Sequence, residues 1–172
     1  MKHPFRILTV LASSLTALAS CNAEPLAVGA ALPAVSQQDQ AGKTVTLDPA
    51  AKGFLLVYFY PKADTPGCTK QACSLRDAYA DLTKLGVTIY GVSADTVAAQ
   101  KAFKDKFNLP FQLLADADAK VITAFGVPKT MGFAKRQAFL FKDGKLVWRD
   151  LAAATDQQAA DVRKAIESQA KP

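Results

Sequence analysis

The sequence predicts an α/β fold, a sandwich of helices packed around a mixed central sheet. Three observations carry that expectation. Residues 54–60 (FLLVYFY) and 87–93 (VTIYGVS) are nearly unbroken apolar runs, the pattern of strands buried on both faces. Segments of helical spacing alternate with these runs, which implies parallel strands joined by helical crossovers. A hairpin and one last helix follow, which brings antiparallel partners into the same sheet. The 172 residues, half of them apolar and 21% charged, suit one domain and exclude a disordered, collagenous or polytopic membrane chain.

The elements follow in order. Residues 22–34 are small, apolar and punctuated by Pro and Gly, and read as a tether with a leading strand. Residues 37–43 form a turn, and Thr44-Val45-Thr46-Leu47 alternates as a strand does. Pro61 ends the apolar run at 54–60, and Asp64-Thr65-Pro66-Gly67 has the content of a turn leading into a helix. That helix is predicted over 67–85, with Ala72, Leu75, Tyr79 and Leu82 as its buried stripe and Gly86 as its stop. After the strand at 87–93 comes a helix over 95–107, offering Val97, Ala98, Phe103 and Phe107 to the core. Leu113-Leu114 is a short strand, 118–125 a short helix and 126–135 a long loop. Strands at 137–141 and 146–151 turn across Lys142-Asp143-Gly144-Lys145, where Asp-Gly favours a tight reversal. A helix over 156–170 with Ala159, Val162 and Ile166 inward closes the chain.

The N-terminus reads as an export signal over 1–20, followed by the tether at 21–34 and the folded domain at 35–172. Lys2 and Arg6 form a basic start, and residues 7–19 are uncharged but shorter than the roughly 20 residues a helix needs to cross a bilayer. Leu18-Ala19-Ser20-Cys21 resembles the bacterial lipobox, in which the cysteine is acylated and becomes the new N-terminus. Ordinary cleavage after Ala23 is the competing reading, and we favour the lipoprotein. Asn22 behind the cysteine points to the outer membrane by resemblance to lipoprotein sorting. Both readings export the chain to the periplasm or cell envelope, with any membrane contact made only through lipid on Cys21. Loss of Lys2 and Arg6 lowers the formal net charge from +6 to +4. The remaining basic residues are scattered, so a nucleic-acid partner is not expected.

Processing also removes His3, the chain's single histidine. Ser-His and Cys-His pairs, His-ligated zinc and proximal-His haem are thereby excluded. The mature thiols are then Cys68 and Cys73. Cys68 falls where a buried strand meets a helix N-terminus, where free amides and the positive end of the helix dipole favour a thiolate. Thr65, three residues earlier, is able to bring a hydroxyl near that sulfur, while Pro61 and Pro66 stiffen the loop. Cys73 lies five residues on in the same helix, about 7.5 Å further along the axis and turned by about 140°. The two Cα atoms are then roughly 8–9 Å apart, beyond the ~7 Å limit for a disulfide. The helix must unwind for the sulfurs to join, which suits a redox couple better than a structural staple.

The run FYPKADTPGCTKQACSLRD resembles the peroxiredoxin signature P-x-x-x-T-x-x-C, and the second cysteine five residues later resembles the PrxQ type, also called bacterioferritin comigratory protein. The likeness continues through GVSADTVAAQKAFKDKFNLPFQLLAD and RQAFLFKDGKLVW, covering nearly all of 28–168. It implies a thioredoxin-like three-layer sandwich and a thiol-dependent peroxidase that acts on hydrogen peroxide or organic hydroperoxides without a metal, haem or flavin cofactor. By the same resemblance Cys68 is the peroxidatic cysteine, oxidised to a sulfenic acid. Thr65 bonds thiolate and peroxide, Pro61 shields the pocket and Arg136 stabilises the thiolate. Cys73 resolves the sulfenic acid as an intramolecular disulfide, which an external thioredoxin-like dithiol then reduces. A monomer or weak dimer is expected.

This chain departs from the resemblance in three ways. Gln71 stands where an acidic residue is usual, Lys70 adds positive charge at the helix start, and the segment after Leu32-Pro33 lacks the usual aromatic. Phe125, Met131 and Phe133 are candidates for an apolar collar around bulky hydroperoxides. Two alternatives stay open on the residues alone. One is a thiol-disulfide oxidoreductase of thioredoxin-like fold, although Cys-x-x-Cys is absent. The other is a non-catalytic envelope lipoprotein with a structural disulfide, which has no need of Thr65 and Arg136.

Overall fold

The computed structural model describes residues 24–169, so the export signal expected over 1–20 and Cys21 lie outside the described residues. In chain order the elements are β1 (Val35–Gln38), β2 (Thr44–Leu47), β3 (Phe54–Phe59), α1 (Pro66–Asp77), α2 (Tyr79–Lys84), β4 (Val87–Ser93) and α3 (Val97–Phe107). There follow β5 (Gln112–Ala115), α4 (Lys120–Ala124), β6 (Lys129–Thr130), β7 (Phe133–Ala134), β8 (Gln137–Lys142), β9 (Lys145–Asp150) and α5 (Gln158–Gln169). The central sheet runs β5-β4-β3-β8-β9. β3, β4 and β5 are parallel, while β8 pairs antiparallel with β3 and β9 antiparallel with β8. This is the mixed sheet expected from helix crossovers followed by a hairpin, in the thioredoxin-like arrangement that the resemblance implies. Among the described residues no helix is long and apolar enough to cross a membrane.

Alternation along β3 divides the core into two layers. Leu56, Tyr58 and Tyr60 face one way, covered by Leu75 of α1, Leu82 of α2, Phe103 of α3 and Val162 and Ile166 of α5. Val57 and Phe59 face the other way, against Leu47 of β2, Val121 and Ile122 of α4, Phe125 and Phe139. β3 is therefore apolar at nearly every position because both of its faces are buried.

Several elements differ from expectation. The helix predicted over 67–85 is two helices, broken at Ala78 (φ −95°, ψ 3°). No Gly or Pro signals the break; it lets Tyr79 set its ring against Phe111, with 6.2 Å between centroids, while Leu82 stays in the core. The loop predicted over 126–135 contains the small β6–β7 hairpin, with Met131 in the left-handed region at its tip. Ala98 is exposed, and Gln100 turns inward with the expected Phe103. Residues 24–34 are no free tether, and hold only a one-residue bridge, Ala31 to Lys145, in place of a leading strand. Leu26 N donates to Phe125 O, Gly29 N to Leu146 O and Leu32 N to Gly144 O, and the Arg149 guanidinium donates to the carbonyls of Pro25 and Leu26. The Asp143-Gly144 turn forms as expected, with both residues at positive φ; a Cβ on Gly144 would lie 1.9 Å from Pro49 O.

Candidate active site

The site forms where β3 hands over to α1. Tyr60 N still bonds to Val92 O of β4, and the chain then leaves the sheet at half-buried Pro61. A polar network fixes the loop that follows. Ala63 N donates to Asp95 Oδ2, which also accepts from Ser93 Oγ (2.8 and 2.7 Å). Ser93 Oγ accepts from Gln100 Nε2, whose Oε1 in turn accepts from the Tyr60 hydroxyl. Asp64 takes a positive φ of 58° and pairs with Lys106 at 2.8 Å. Burial raises Tyr60 far above the ordinary tyrosine value, so its hydroxyl stays a donor to Gln100.

Thr65 is the N-cap residue of α1 in extended conformation, and Pro66 takes the first helical position, where its missing N–H costs nothing. The Thr65 hydroxyl donates to Lys62 O at 2.9 Å. The expected bond from that hydroxyl to the Cys68 sulfur is absent because its proton is committed to the loop. Its oxygen keeps lone pairs free to accept from a ligand. Thr69 N closes the first intrahelical bond, onto Thr65 O, so the amides of Gly67 and Cys68 precede the ladder.

Cys68 is almost fully buried, with 1% exposure. Arg136, half-buried just before β8, donates from Nη2 to Cys68 Sγ at 3.4 Å. Among the described residues this is the sulfur's one hydrogen-bond donor. Gly67 permits the approach: a Cβ there would stand 3.3 Å from Arg136 Nη2. Arg136 Nη1 donates to Gln71 Oε1, and Gln71 Nε2 donates to Gln158 Oε1 at 2.7 Å. Both glutamines are fully buried, and Gln158 Nε2 has no partner. Cys73 lies half-buried on the unbroken helix α1, and both cysteines are free thiols.

The structure thus joins Cys68 and Arg136, with Thr65 and Pro61 in the adjoining loop, and holds Cys73 apart on the same helix. Sequence reasoning noticed Gln71 as a departure but missed Gln158. Its position four residues before Val162, which the sequence reading did place on the inner face, was the available signal. Phe125 does not belong to a collar: it is fully buried in the opposite core layer against Phe59 and Phe139. Met131 and Phe133 are exposed on the β6–β7 hairpin, where Lys62 Nζ lies 6.0 Å from the Phe133 ring centroid.

Residues 28–149 match the AhpC/TSA family. The chain is 45% identical over 100 residues to a putative peroxiredoxin bcp of Coxiella burnetii, covering 58% of this chain and 66% of that protein. It is 41% identical over 128 residues to the chloroplastic peroxiredoxin Q of Arabidopsis thaliana, covering 74% and 58%. The chain therefore spans two thirds or less of the length of these relatives. Among solved structures, peroxidoxin BcpB of Mycobacterium tuberculosis superposes with a TM-score of 0.78 at 28% identity, over 84% of this chain and 98% of that one. The bacterioferritin comigratory protein of Xanthomonas campestris, studied for alkyl peroxide reduction, gives 0.75 at 29% identity, over 83% and 100%.

Proposed function

The chain belongs to the AhpC/TSA family, and from that premise we propose that it is a thiol-dependent peroxidase of the peroxiredoxin Q type. The carrying observation is the Arg136 guanidinium on Cys68 Sγ, at the start of a helix that also bears Cys73. The Cys68 thiolate attacks one oxygen of a hydroperoxide. The O–O bond breaks, Cys68 becomes a sulfenic acid, and the leaving oxygen takes a proton and departs as water or alcohol. Arg136 remains charged throughout and so supports both the thiolate and the charge growing on the departing oxygen. The Thr65 oxygen accepts from the peroxide O–H, and the amides of Gly67 and Cys68 supply donors at the helix start. The Cys73 thiolate then attacks the sulfenic sulfur, the S–S bond forms as the S–O bond breaks, and the departing hydroxyl takes a proton and leaves as water. An external thioredoxin-like dithiol reduces the disulfide by exchange and is itself oxidised.

The test is hydroperoxide consumption by the full chain with a dithiol reductant, carrying Cys21→Ser throughout, for the parent, Cys68→Ser and Cys73→Ser. Turnover is expected in the parent and absent in Cys68→Ser, while Cys73→Ser consumes a single equivalent. A parent that consumes nothing beyond the uncatalysed rate would return the chain to the non-catalytic reading. Turnover of disulfides without peroxide would favour a thiol-disulfide oxidoreductase.

We also propose export, with Cys21 acylated and the enzyme acting in the periplasm or cell envelope as a monomer or weak dimer. The support is the basic start, the uncharged stretch and the lipobox-like Leu18-Ala19-Ser20-Cys21. Mass spectrometry of the N-terminal peptide after expression in a Gram-negative host decides it. Diacylglyceryl mass on Cys21 supports the anchor, and an unmodified peptide beginning at Glu24 refutes it.

A further inference from the structure

We propose that Gln158 is a positioning residue: through Gln71 it latches the first turns of α1 in the closed form, and this bond must break before Cys73 reaches Cys68. The inference rests on the peroxidase reading above and names a control on its second step.

Gln71 lies between the two cysteines on α1 and is fully buried. Its amide is used at both ends. Arginine offers only donors, so the Gln71 oxygen must face Arg136, which turns its amine toward α5. Gln158 must then present its oxygen to Gln71, and this leaves Gln158 Nε2 buried without an acceptor. An unpaired buried donor is destabilising. Gln158 adopts this orientation because the alternative would set two donors against each other at Gln71. The series is directional: Arg136 binds Cys68 Sγ with one nitrogen and Gln71 with the other, and Gln71 is held from α5.

Ser74 makes a second tie to the same place. Its Oγ accepts from Ala159 N at 3.3 Å and lies 3.5 Å from Asp156 O. The start of α5 thus grips α1 on both sides of Cys73. Forming the disulfide requires residues 69–73 to leave helical geometry, since an i, i+5 pair sits roughly 8–9 Å apart. Gln71 is inside that segment, and its bonds to Gln158 and Arg136 are lost when it unwinds. Closed α1 keeps Arg136 on the sulfur for peroxide attack; open α1 permits resolution. Gln158 stabilises the first at the expense of the second. The amide at 71 also orients Arg136 without neutralising it, which a carboxylate there would do.

The experiment compares the parent, Gln158→Met and Gln158→Glu in the full chain with Cys21→Ser. Methionine keeps the length and removes the acceptor; glutamate keeps an oxygen for Gln71. Rapid-quench mass spectrometry after mixing with hydrogen peroxide follows sulfenic acid, Cys68–Cys73 disulfide and sulfinic acid separately. Loss of one buried hydrogen bond predicts disulfide formation about fivefold faster in Gln158→Met. Attack on peroxide is expected to be slower, with less sulfinic acid at equal peroxide, and Gln158→Glu restores the slower disulfide step. Disulfide formation unchanged or slowed in a folded Gln158→Met overturns the latch. Should that variant fail to fold, Gln158→Asn, which withdraws the oxygen by one methylene, must show the same acceleration. A parent that forms neither sulfenic acid nor disulfide defeats the peroxidase reading, and the latch with it. A reactive parent with an unaltered variant defeats the latch alone.

Discussion

The two faces of the central sheet solve different problems. Toward α4, Phe59, Phe125, Phe139 and Phe141 form a cluster with ring centroids 5.2–5.8 Å apart. The buried carboxylate on that side, Asp116, is fully used, accepting from the amides of Val121 and Ile122 and from Gln37. Toward α1 and α5 the core holds Tyr58, Tyr60, Gln71, Gln100 and Gln158, and two of their polar atoms, Tyr58 Oη and Gln158 Nε2, have no partner, against one on the aromatic face, Gln137 Oε1 opposite Phe59. Each such orphan costs about 1–3 kcal/mol. The face that carries the thiol is the less settled one, and the aromatic face supplies the burial that tolerates it.

Substitutions on the two faces should therefore separate stability from chemistry. The largest effect is expected from Phe139→Ala, a loss of about 3–5 kcal/mol in urea unfolding from the cavity it leaves. Its peroxide rate per folded molecule should stay near that of the parent; a matching fall in that rate would mean the faces are not separable. Next is Arg136→Met, expected to slow the reaction of Cys68 with peroxide by up to about a hundredfold, because it removes a charged donor from the sulfur. An undiminished rate in stopped-flow would mean the 3.4 Å contact does no chemical service. Tyr60→Phe should cost about 1–2 kcal/mol, since Gln100 Oε1 loses its donor. Tyr58→Phe should instead stabilise the fold by about 1 kcal/mol at pH 7, because it removes a buried hydroxyl that has no partner.

Alkaline conditions sharpen the same contrast. Burial raises both Tyr58 and Tyr60 above the ordinary value of 10.0. The folded state therefore keeps protons that the unfolded chain releases. Their contribution is complete below pH 10 and declines as pH rises above it, by about 1.4 kcal/mol per pH unit for each tyrosine. The double variant Tyr58→Phe/Tyr60→Phe should show a visibly shallower decline in denaturant titrations above pH 10. Equal slopes would argue that these hydroxyls are not shielded from solvent.

What was legible in the sequence was mostly local. Residues 54–60 announced a strand buried on both faces, and Asp143-Gly144 announced its turn. The offsets among Pro61, Thr65, Cys68 and Cys73 announced the loop and the helix that hold the candidate thiol. Arg136 was legible only by resemblance, since nothing local links it to a cysteine 68 positions away. The break at Ala78 was hidden because it answers the packing of Tyr79 on Phe111 rather than a helix-stopping residue. Met131 concealed a hairpin tip, because methionine seldom takes a positive φ. Gln158 was hidden for the opposite reason to Cys68: its role comes from one partner 87 residues earlier, on a face where its neighbours are apolar.

The proposed chemistry turns on one event, the joining of two sulfurs that the closed helix keeps apart. The most direct measurement treats the fully reduced full chain, carrying Cys21→Ser, with one equivalent of hydrogen peroxide and maps the product by peptide mass spectrometry. The expected result is a single intramolecular Cys68–Cys73 disulfide, replaced in Cys73→Ser by a sulfenic acid confined to Cys68. Unreacted thiols at both positions, or oxidation falling instead on exposed Met131, would contradict it.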